Sequence, residues 1–262
     1  MAQVVVTTGR NSTDKEESLG RIYASELKTI FVERNNYSIE SLKTNYQAES
    51  IIVIAKNGPI IYTSAGEYYF HLNMAELRIR NLKNGKPDHM AEAMDLFPGA
   101  AILDCTLGLA TDAIVTSYCV GKTGKVVGLE ISPLIALISK VGLQNHCSDF
   151  KELNESLRRI RVENTDYNSG LAKYENRSFD TVYFDPMFRR PINESSNMKP
   201  LRVLADNRPI TLDAVREAIR VARRRVVIKE TQGSNEFNRL GVDTVVGGKY
   251  SSVSYGIIRT GG

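Results

Sequence analysis

From Ala100 onward the chain alternates short apolar runs with helical patterns. Ala101-Ile102-Leu103, Val126-Val127-Gly128-Leu129, Ile160-Arg161-Val162, Thr181-Val182-Tyr183-Phe184 and Val226-Val227-Ile228 read as strands. Alternation of this kind implies a mostly parallel sheet covered by helices, because each parallel return needs a crossover that packs on the sheet face. The final stretch differs. Thr244-Val245-Val246 and the run from Val253 to Ile258, around Gly247-Gly248, read as paired antiparallel strands. The expected fold is α/β, a parallel sheet with an antiparallel edge.

A smaller α/β unit precedes it. Val4-Val5-Val6 reads as a strand and Thr7-Thr8-Gly9-Arg10 as a turn, after which Thr13 and Glu16 stand at capping-box spacing. Leu19, Ile22, Tyr23, Leu27, Ile30 and Phe31 then recur at three- and four-residue steps, predicting an amphipathic helix that buries them on one face. Ile51-Ile52-Val53-Ile54 and Ile60-Ile61-Tyr62 flank Asn57-Gly58 and predict a hairpin. Beyond Tyr68-Tyr69-Phe70, Asn73 is placed to cap a helix through Leu82, Gly85 to end it, and Asp88 to cap another before Pro98-Gly99. The predicted organisation is a small domain over 1–70, a helical linker over 71–97 and the main domain over 98–262.

Composition narrows the function classes. With 42% hydrophobic and 24% charged residues the chain is in the globular range. Cys105, Cys119 and Cys147 have neither metal-ligand spacing nor an even count, so reduced thiols are expected. His71, His89 and His146 lack a ligand-spaced partner set, and no metal is expected. The Met1-Ala2-Gln3 start lacks the basic and long apolar regions of a secretory signal, and Leu134-Ile135-Ala136-Leu137-Ile138 meets Lys140 too early to span a bilayer. A soluble, cytoplasmic protein is expected. A net charge of +4 permits a polyanionic partner without requiring one. Arg189, Arg190, Lys199, Arg202 and Arg208 cluster, followed by Arg216, Arg220, Arg223, Arg224 and Arg225; the run reads either as a basic face or as a solvated helix surface.

Two constellations carry chemistry. In Leu103-Asp104-Cys105-Thr106-Leu107-Gly108-Leu109-Ala110-Thr111-Asp112 an acid ends a strand and a glycine follows four residues later, before a helix. Ligands of open α/β sheets bind at the carboxyl ends of strands, and glycine lets the backbone approach them. The loop resembles the glycine loop of Rossmann-like methyltransferases, with Ala110 where many carry a second glycine. Asp104 would attract the ammonium of a methionine moiety. Glu130, ending the next strand, would accept both ribose hydroxyls, and Asp166, with Tyr167 alongside, the adenine amine. A nicotinamide cofactor fits less well, since G-x-G-x-x-G is absent from Gly108 to Ala113. Taken singly, Asp104 also reads as a loop acid and Glu130 as a surface charge.

The second constellation is Asp185-Pro186-Met187-Phe188, at the end of the Thr181 to Phe184 strand. It resembles the Asp-Pro-Pro-Tyr/Phe motifs of methyltransferases that act on planar amines, with Met187 in place of the second proline; alone, Asp-Pro is a turn signal. The lone pair of such an amine is delocalised into the ring. Acceptors at the Asp185 carboxylate and Pro186 carbonyl would bind its hydrogens and aim the lone pair, with Phe188 stacking on the base.

With Leu129-Glu130-Ile131-Ser132-Pro133 and Arg225-Val226-Val227-Ile228-Lys229, these segments make most of the chain similar to the bacterial small-subunit ribosomal RNA guanine-N2 methyltransferases, whose fold is a class I methyltransferase sheet. The resemblance implies S-adenosylmethionine as cofactor, held by Asp104, Thr106, Gly108, Leu109, Ala110, Thr111, Asp112, Glu130, Ile131, Asp166, Tyr167 and Asp185. It implies Asp185, Pro186 and Phe188 as catalytic, Arg189, Arg190 and Lys229 as substrate-binding, and small-subunit ribosomal RNA as partner. The family's basic linker corresponds to Arg78, Arg80, Lys83, Gly85 and Lys86. An RNA guanine would have to be unstacked to reach the cofactor, and Thr7 to Arg10 would contact phosphate or form a plain turn. Methylation of another amine in DNA, protein or a small molecule, and a non-catalytic RNA-binding module, are the competing readings.

Overall fold

The structure, a computed structural model, describes residues 3–72, 74–187, 199–249 and 251–261. The chain opens with β1 (Val4–Thr8), α1 (Asp14–Glu26), β2 (Ile30–Phe31), α2 (Ile39–Tyr46), β3 (Ser50–Ala55), β4 (Gly58–Thr63) and β5 (Gly66–Tyr69). There follow α3 (Ala75–Lys83), α4 (His89–Met94), β6 (Ala101–Asp104), α5 (Thr111–Val120), β7 (Lys125–Glu130), α6 (Pro133–Asn145), α7 (Lys151–Arg158) and β8 (Ile160–Asn164). The remainder runs α8 (Tyr167–Leu171), β9 (Phe179–Phe184), α9 (Lys199–Leu204), α10 (Leu212–Val221), β10 (Ala222–Thr231), α11 (Glu236–Arg239), β11 (Thr244–Val246) and β12 (Val253–Arg259). Two compact units result, and neither is continuous in sequence. The first comprises 1–71, 133–146 and 194–204, and the second 72–132, 147–193 and 205–262.

In the second unit seven strands lie in the order β11-β12-β10-β9-β6-β7-β8. The five from β10 to β8 are parallel, and β12 pairs antiparallel with both β10 and β11. Both expected features, the parallel sheet and its antiparallel edge, are present. Leu103, Val127, Leu129, Phe179, Val182, Phe184, Val226 and Ile228 pack with Ala214, Val215, Ala218 and Val221 of α10 in one core. The amphipathic pattern of α10 supplies that face: its buried positions recur at three- and four-residue steps, and Thr211 caps its start by accepting the Ala214 N–H.

The first unit is a five-stranded sheet, β2-β1-β3-β4-β5, with β1 parallel to β2 and β3, and β3-β4-β5 antiparallel. The predicted hairpin is β3-β4, closing at Ala55 opposite Gly58. Two expectations need correction. The helix opens as predicted, with the Thr13 N–H donating to Glu16 at 2.7 Å, but its buried residues are Gly20 and Ala24, while Ile22 is 57% exposed. The reason is close approach: a Cβ on Gly20 would come within 2.5 Å of the Phe31 ring, so the smallest residues face the sheet. Ile30 and Phe31 belong to β2 instead of extending the helix. Likewise β1 runs through Thr7 and Thr8, both buried, so the expected turn begins two residues later.

Helix α6 packs against β4. Gly142 also leaves room on α6 for Phe70, just beyond β5, since a Cβ there would stand 1.9 Å from Phe70 Cγ. Gly142→Val is therefore expected to cost about 1–3 kcal/mol of stability through overpacking. Thermal unfolding of the variant tests this, and an unchanged midpoint would mean that Phe70 rotates away freely. Among the described residues no helix is long and apolar enough to cross a membrane.

Candidate active site

Strand order reverses at β6, which has β7 on one side and β9 on the other. In open α/β sheets the crevice outside the strand ends at such a reversal is where ligands bind. Asp104 ends β6, Glu130 ends β7 and Asp185 immediately follows β9. The pattern of acids at strand ends, visible in the sequence, is thus a pattern in space.

The loop after β6 is pinned from both sides. The Cys105 N–H donates to the Tyr183 carbonyl at 2.8 Å and the Leu107 N–H to the Leu129 carbonyl at 3.0 Å. Leu107 lies across Gly128, where a Cβ would meet its Cδ1 at 2.4 Å. Gly108 and Ala110 adopt left-handed conformations, with φ of +53° and +63°. Among the described residues the nearest atom to where a Gly108 Cβ would stand is the Thr106 carbonyl oxygen at 4.0 Å, and the Gly108 N–H donates to Glu130 Oε2 at 3.0 Å. Ala110 occupies a glycine-like conformation at the start of α5, which is why many such loops carry glycine there.

Asp104 and Glu130 are both buried. Burial raises the Asp104 pKa to about 8, with the charges of Asp112, Asp185 and Glu130 adding to it and the Thr106 N–H opposing it. Burial likewise raises Glu130 to about 6, against the N–H groups of Ser132 and Gly108. Among the described residues neither has a cationic side chain within 4 Å. Two buried acids that, among the described residues, accept only backbone N–H groups fit a ligand that brings positive charge and hydroxyl donors, as S-adenosylmethionine does.

Asp185 is held differently. The parallel register sets Ile228 opposite Phe184, so Lys229 comes level with Asp185. Lys229 Nζ donates to Asp185 Oδ2 at 2.8 Å and to Asp112 Oδ2 at 3.1 Å. Tyr183 OH donates to the same Asp112 oxygen at 2.7 Å, and Arg78 reaches the other. Arg78 also grips Asp88 with two nitrogens, at 2.8 and 2.9 Å. Two cations thus serve three carboxylates. Burial works against the charge of Asp112, but Lys229 and Arg78 outweigh it and its pKa is lowered. For Asp185 burial prevails with help from Asp112, and its pKa rises to about 6 although Lys229 pulls it down. The Asp185 N–H donates to Thr106 Oγ1 at 2.6 Å, tying this segment to the loop after β6.

The other expected residues are distributed around this centre. Leu109 and Thr111 flank Ala110 in the loop, partly exposed, and Ile131 follows Glu130, its carbonyl accepting from Asn164. Asp166 caps α8 through the Asn168 N–H and receives Arg208 at 2.7 Å, which with Asn168 lowers its pKa against the effect of burial. Tyr167 turns into the core, edge-on to Phe184. Pro186 is partly buried; Phe188, Arg189 and Arg190 lie outside the described residues. The later arginines are not an uncompensated basic face, because Arg216, Arg220, Arg223, Arg224 and Arg225 each meet a carboxylate. Sequence reading missed Tyr183 and the joining of Arg78, Asp88, Asp112 and Lys229. Their separations, 34 and 117 residues for the two ion pairs to Asp112, leave no local spacing to detect.

Residues 64–252 match the family model described as "Putative SAM-dependent methyltransferase". The chain is 34% identical over 257 residues to the Bacillus subtilis protein YpiP, spanning 98% of this chain and 99% of that one. It is also 34% identical over 195 residues to a Coxiella burnetii protein named ribosomal RNA small subunit methyltransferase J, spanning 70% of this chain and 72% of the relative. A solved SAM-dependent methyltransferase from Neisseria gonorrhoeae superposes with a TM-score of 0.65 at 15% identity, covering 98% and 96% of the two chains. That likeness is one of fold, and it matches the class I sheet expected from the sequence.

Proposed function

Because this chain belongs to the SAM-dependent methyltransferase family, we propose that it methylates the exocyclic N2 amine of a guanine in small-subunit ribosomal RNA. Its cofactor is S-adenosylmethionine. The reading is carried by Asp185-Pro186, an acceptor pair at the end of β9 beside the loop after β6. The name of the Coxiella burnetii relative, ribosomal RNA small subunit methyltransferase J, supports the RNA target.

The cofactor supplies a methyl group made electrophilic by its sulfonium. Asp104 would hold the ammonium of its methionine part and Glu130 the ribose hydroxyls, while Asp166 would accept from the adenine amine, with Gly108, Leu109, Ala110, Thr111 and Ile131 lining the approach. Pro186 and Asp185 accept the hydrogens of the target amine, which turns its lone pair out of the ring toward the methyl. Lys229 fixes one oxygen of Asp185, so the carboxylate has a set orientation before the base arrives. Bound there, the cofactor would supply its methyl group to the amine nitrogen, and the amine proton would leave to water. In this reading Phe188 would stack on the base and Arg189 and Arg190 would meet the RNA backbone; all three lie outside the described residues.

The decisive experiment is nucleoside mapping of small-subunit RNA from a deletion strain, before and after treatment with purified enzyme and cofactor. Restoration of N2-methylguanosine at one position is expected. Restored methylation of a different nucleoside, or of protein, would replace the guanine assignment.

A pH dependence follows from Asp104. Its raised pKa means that the free protein gains stability from the protonated form at acid pH and loses it as pH rises from about 4 to about 8. Holding an ammonium needs the ionised form. Between pH 6 and 7, where an α-ammonium stays protonated, cofactor affinity should rise by up to about tenfold. Calorimetry in two buffers of different ionisation enthalpy should register proton release on binding. Affinity that is flat across this interval would remove Asp104 from the ammonium.

A further inference from the structure

A cleft beside Pro186 contains a carboxylate that the reaction described above does not use. Pro186, Met187, Asn207, Ile210, Glu230 and Leu240 are among its lining residues. Glu230 is only 8% exposed. Its Oε2 accepts the Thr231 N–H at 2.8 Å and the Thr231 hydroxyl at 3.3 Å, and among the described residues nothing donates to Oε1. The arginine on the same cleft is engaged elsewhere, Arg208 with Asp206 and Asp166. Oε1 is thus an acceptor on the cleft lining that a donor brought by a ligand can complete.

Register gives the group its meaning. With Ile228 opposite Phe184, Glu230 comes level with Pro186, on the strand next to the motif that takes the target amine. Successive side chains of a strand alternate faces, so Lys229 turns to Asp185 and Asp112 while Glu230 turns with Ile228 into the cleft. An ionised carboxylate only accepts hydrogen bonds. Guanine carries an N1–H donor directly beside its N2 amine. Adenine has a bare acceptor nitrogen beside its amine, and so does cytosine; a carboxylate would repel either.

We infer that Glu230 is the specificity-determining residue of the base pocket, accepting the N1–H of guanine through Oε1 while the N2 amine is held at Asp185-Pro186. The inference rests on the guanine reading given above and goes beyond it by naming what selects the base.

The probe is RNA carrying 2-aminopurine at the mapped guanine, which keeps the 2-amine but has an acceptor at N1. Wild-type enzyme should use it at least about 100-fold less efficiently than the guanine RNA, since a site built to receive a hydrogen bond rejects an analogue lacking it. Glu230→Gln, which offers an amide donor in nearly the same shape, should lose efficiency on guanine and gain it on 2-aminopurine. The ratio of the two kcat/KM values should then collapse toward one, with cofactor affinity unchanged. Taking the ratio between enzymes cancels the different nucleophilicity of the two amines. Equal wild-type use of both RNAs, or a ratio that survives Glu230→Gln, overturns the inference while leaving guanine methylation standing. Wild-type enzyme that leaves guanine unmethylated overturns the guanine reading and this inference with it.

Discussion

Lys229→Met should lower the unfolding free energy by about 3 kcal/mol at neutral pH, because it leaves two largely buried carboxylates facing each other without their shared cation. Lys229 has 18% side-chain exposure, Asp112 10% and Asp185 28%, so water screens the group only in part. Arg78 remains on Asp112 and cannot serve Asp185 as well. Denaturant unfolding gives the number. The sign of the cause can be read from Lys229→Met combined with Asp185→Asn, which removes one of the stranded charges and should restore part of the loss. A single variant as stable as wild type would mean that the ions are solvated enough to stand apart.

Asp185→Ala should lower the rate of methyl transfer by about 1,000-fold, at the upper end of what one positioned hydrogen-bonding group contributes to a transition state, while cofactor affinity changes by only a few fold. The fold should survive, since Lys229 keeps Asp112 as its partner. Asp185→Asn should retain more activity than alanine, because its amide oxygen still accepts one hydrogen. Single-turnover transfer to RNA, with cofactor binding measured separately, distinguishes loss of chemistry from loss of cofactor. A rate within tenfold of wild type would relocate the handling of the amine to other groups. The two variants also report on each other. If Lys229 orients Asp185, Lys229→Arg should keep more activity than Lys229→Met at equal cofactor occupancy.

Much of the second sheet was legible because each strand announces itself locally. An apolar run of β-branched residues ending in Asp104, Glu130 or Asp185 needs only a few consecutive residues to be recognised, and strand ends in an α/β sheet are where acids find ligands. What escaped was set by pairing across the fold. The chain marks Arg78 as one basic residue of a linker and Asp112 as the start of a helix, and only the packing of α3 against α5 makes them partners. Glu230 looks like an ordinary strand-end acid until register brings it level with Pro186. The inward face of α1 was misread because periodicity counts large apolar side chains, while close approach to β2 selects Gly20 and Ala24. Asp166 shows the reverse case, where a position read for a cofactor contact also carries a helix cap and an ion pair.

The broken sequence of the first unit bears on how the chain comes off the ribosome. Residues 1–71 contain all five strands of that sheet, yet α6 covers β4 from positions 133–145 and α9 reaches β5 from 199–204. The sheet can pair early in synthesis, but one of its covering helices does not exist until half the chain has been made, and the other only after three-quarters. Until then part of its apolar surface is bare. The first unit is therefore complete only once residue 204 has been made, and a deletion drawn at residue 71 would strand α6 and α9 without the sheet they cover.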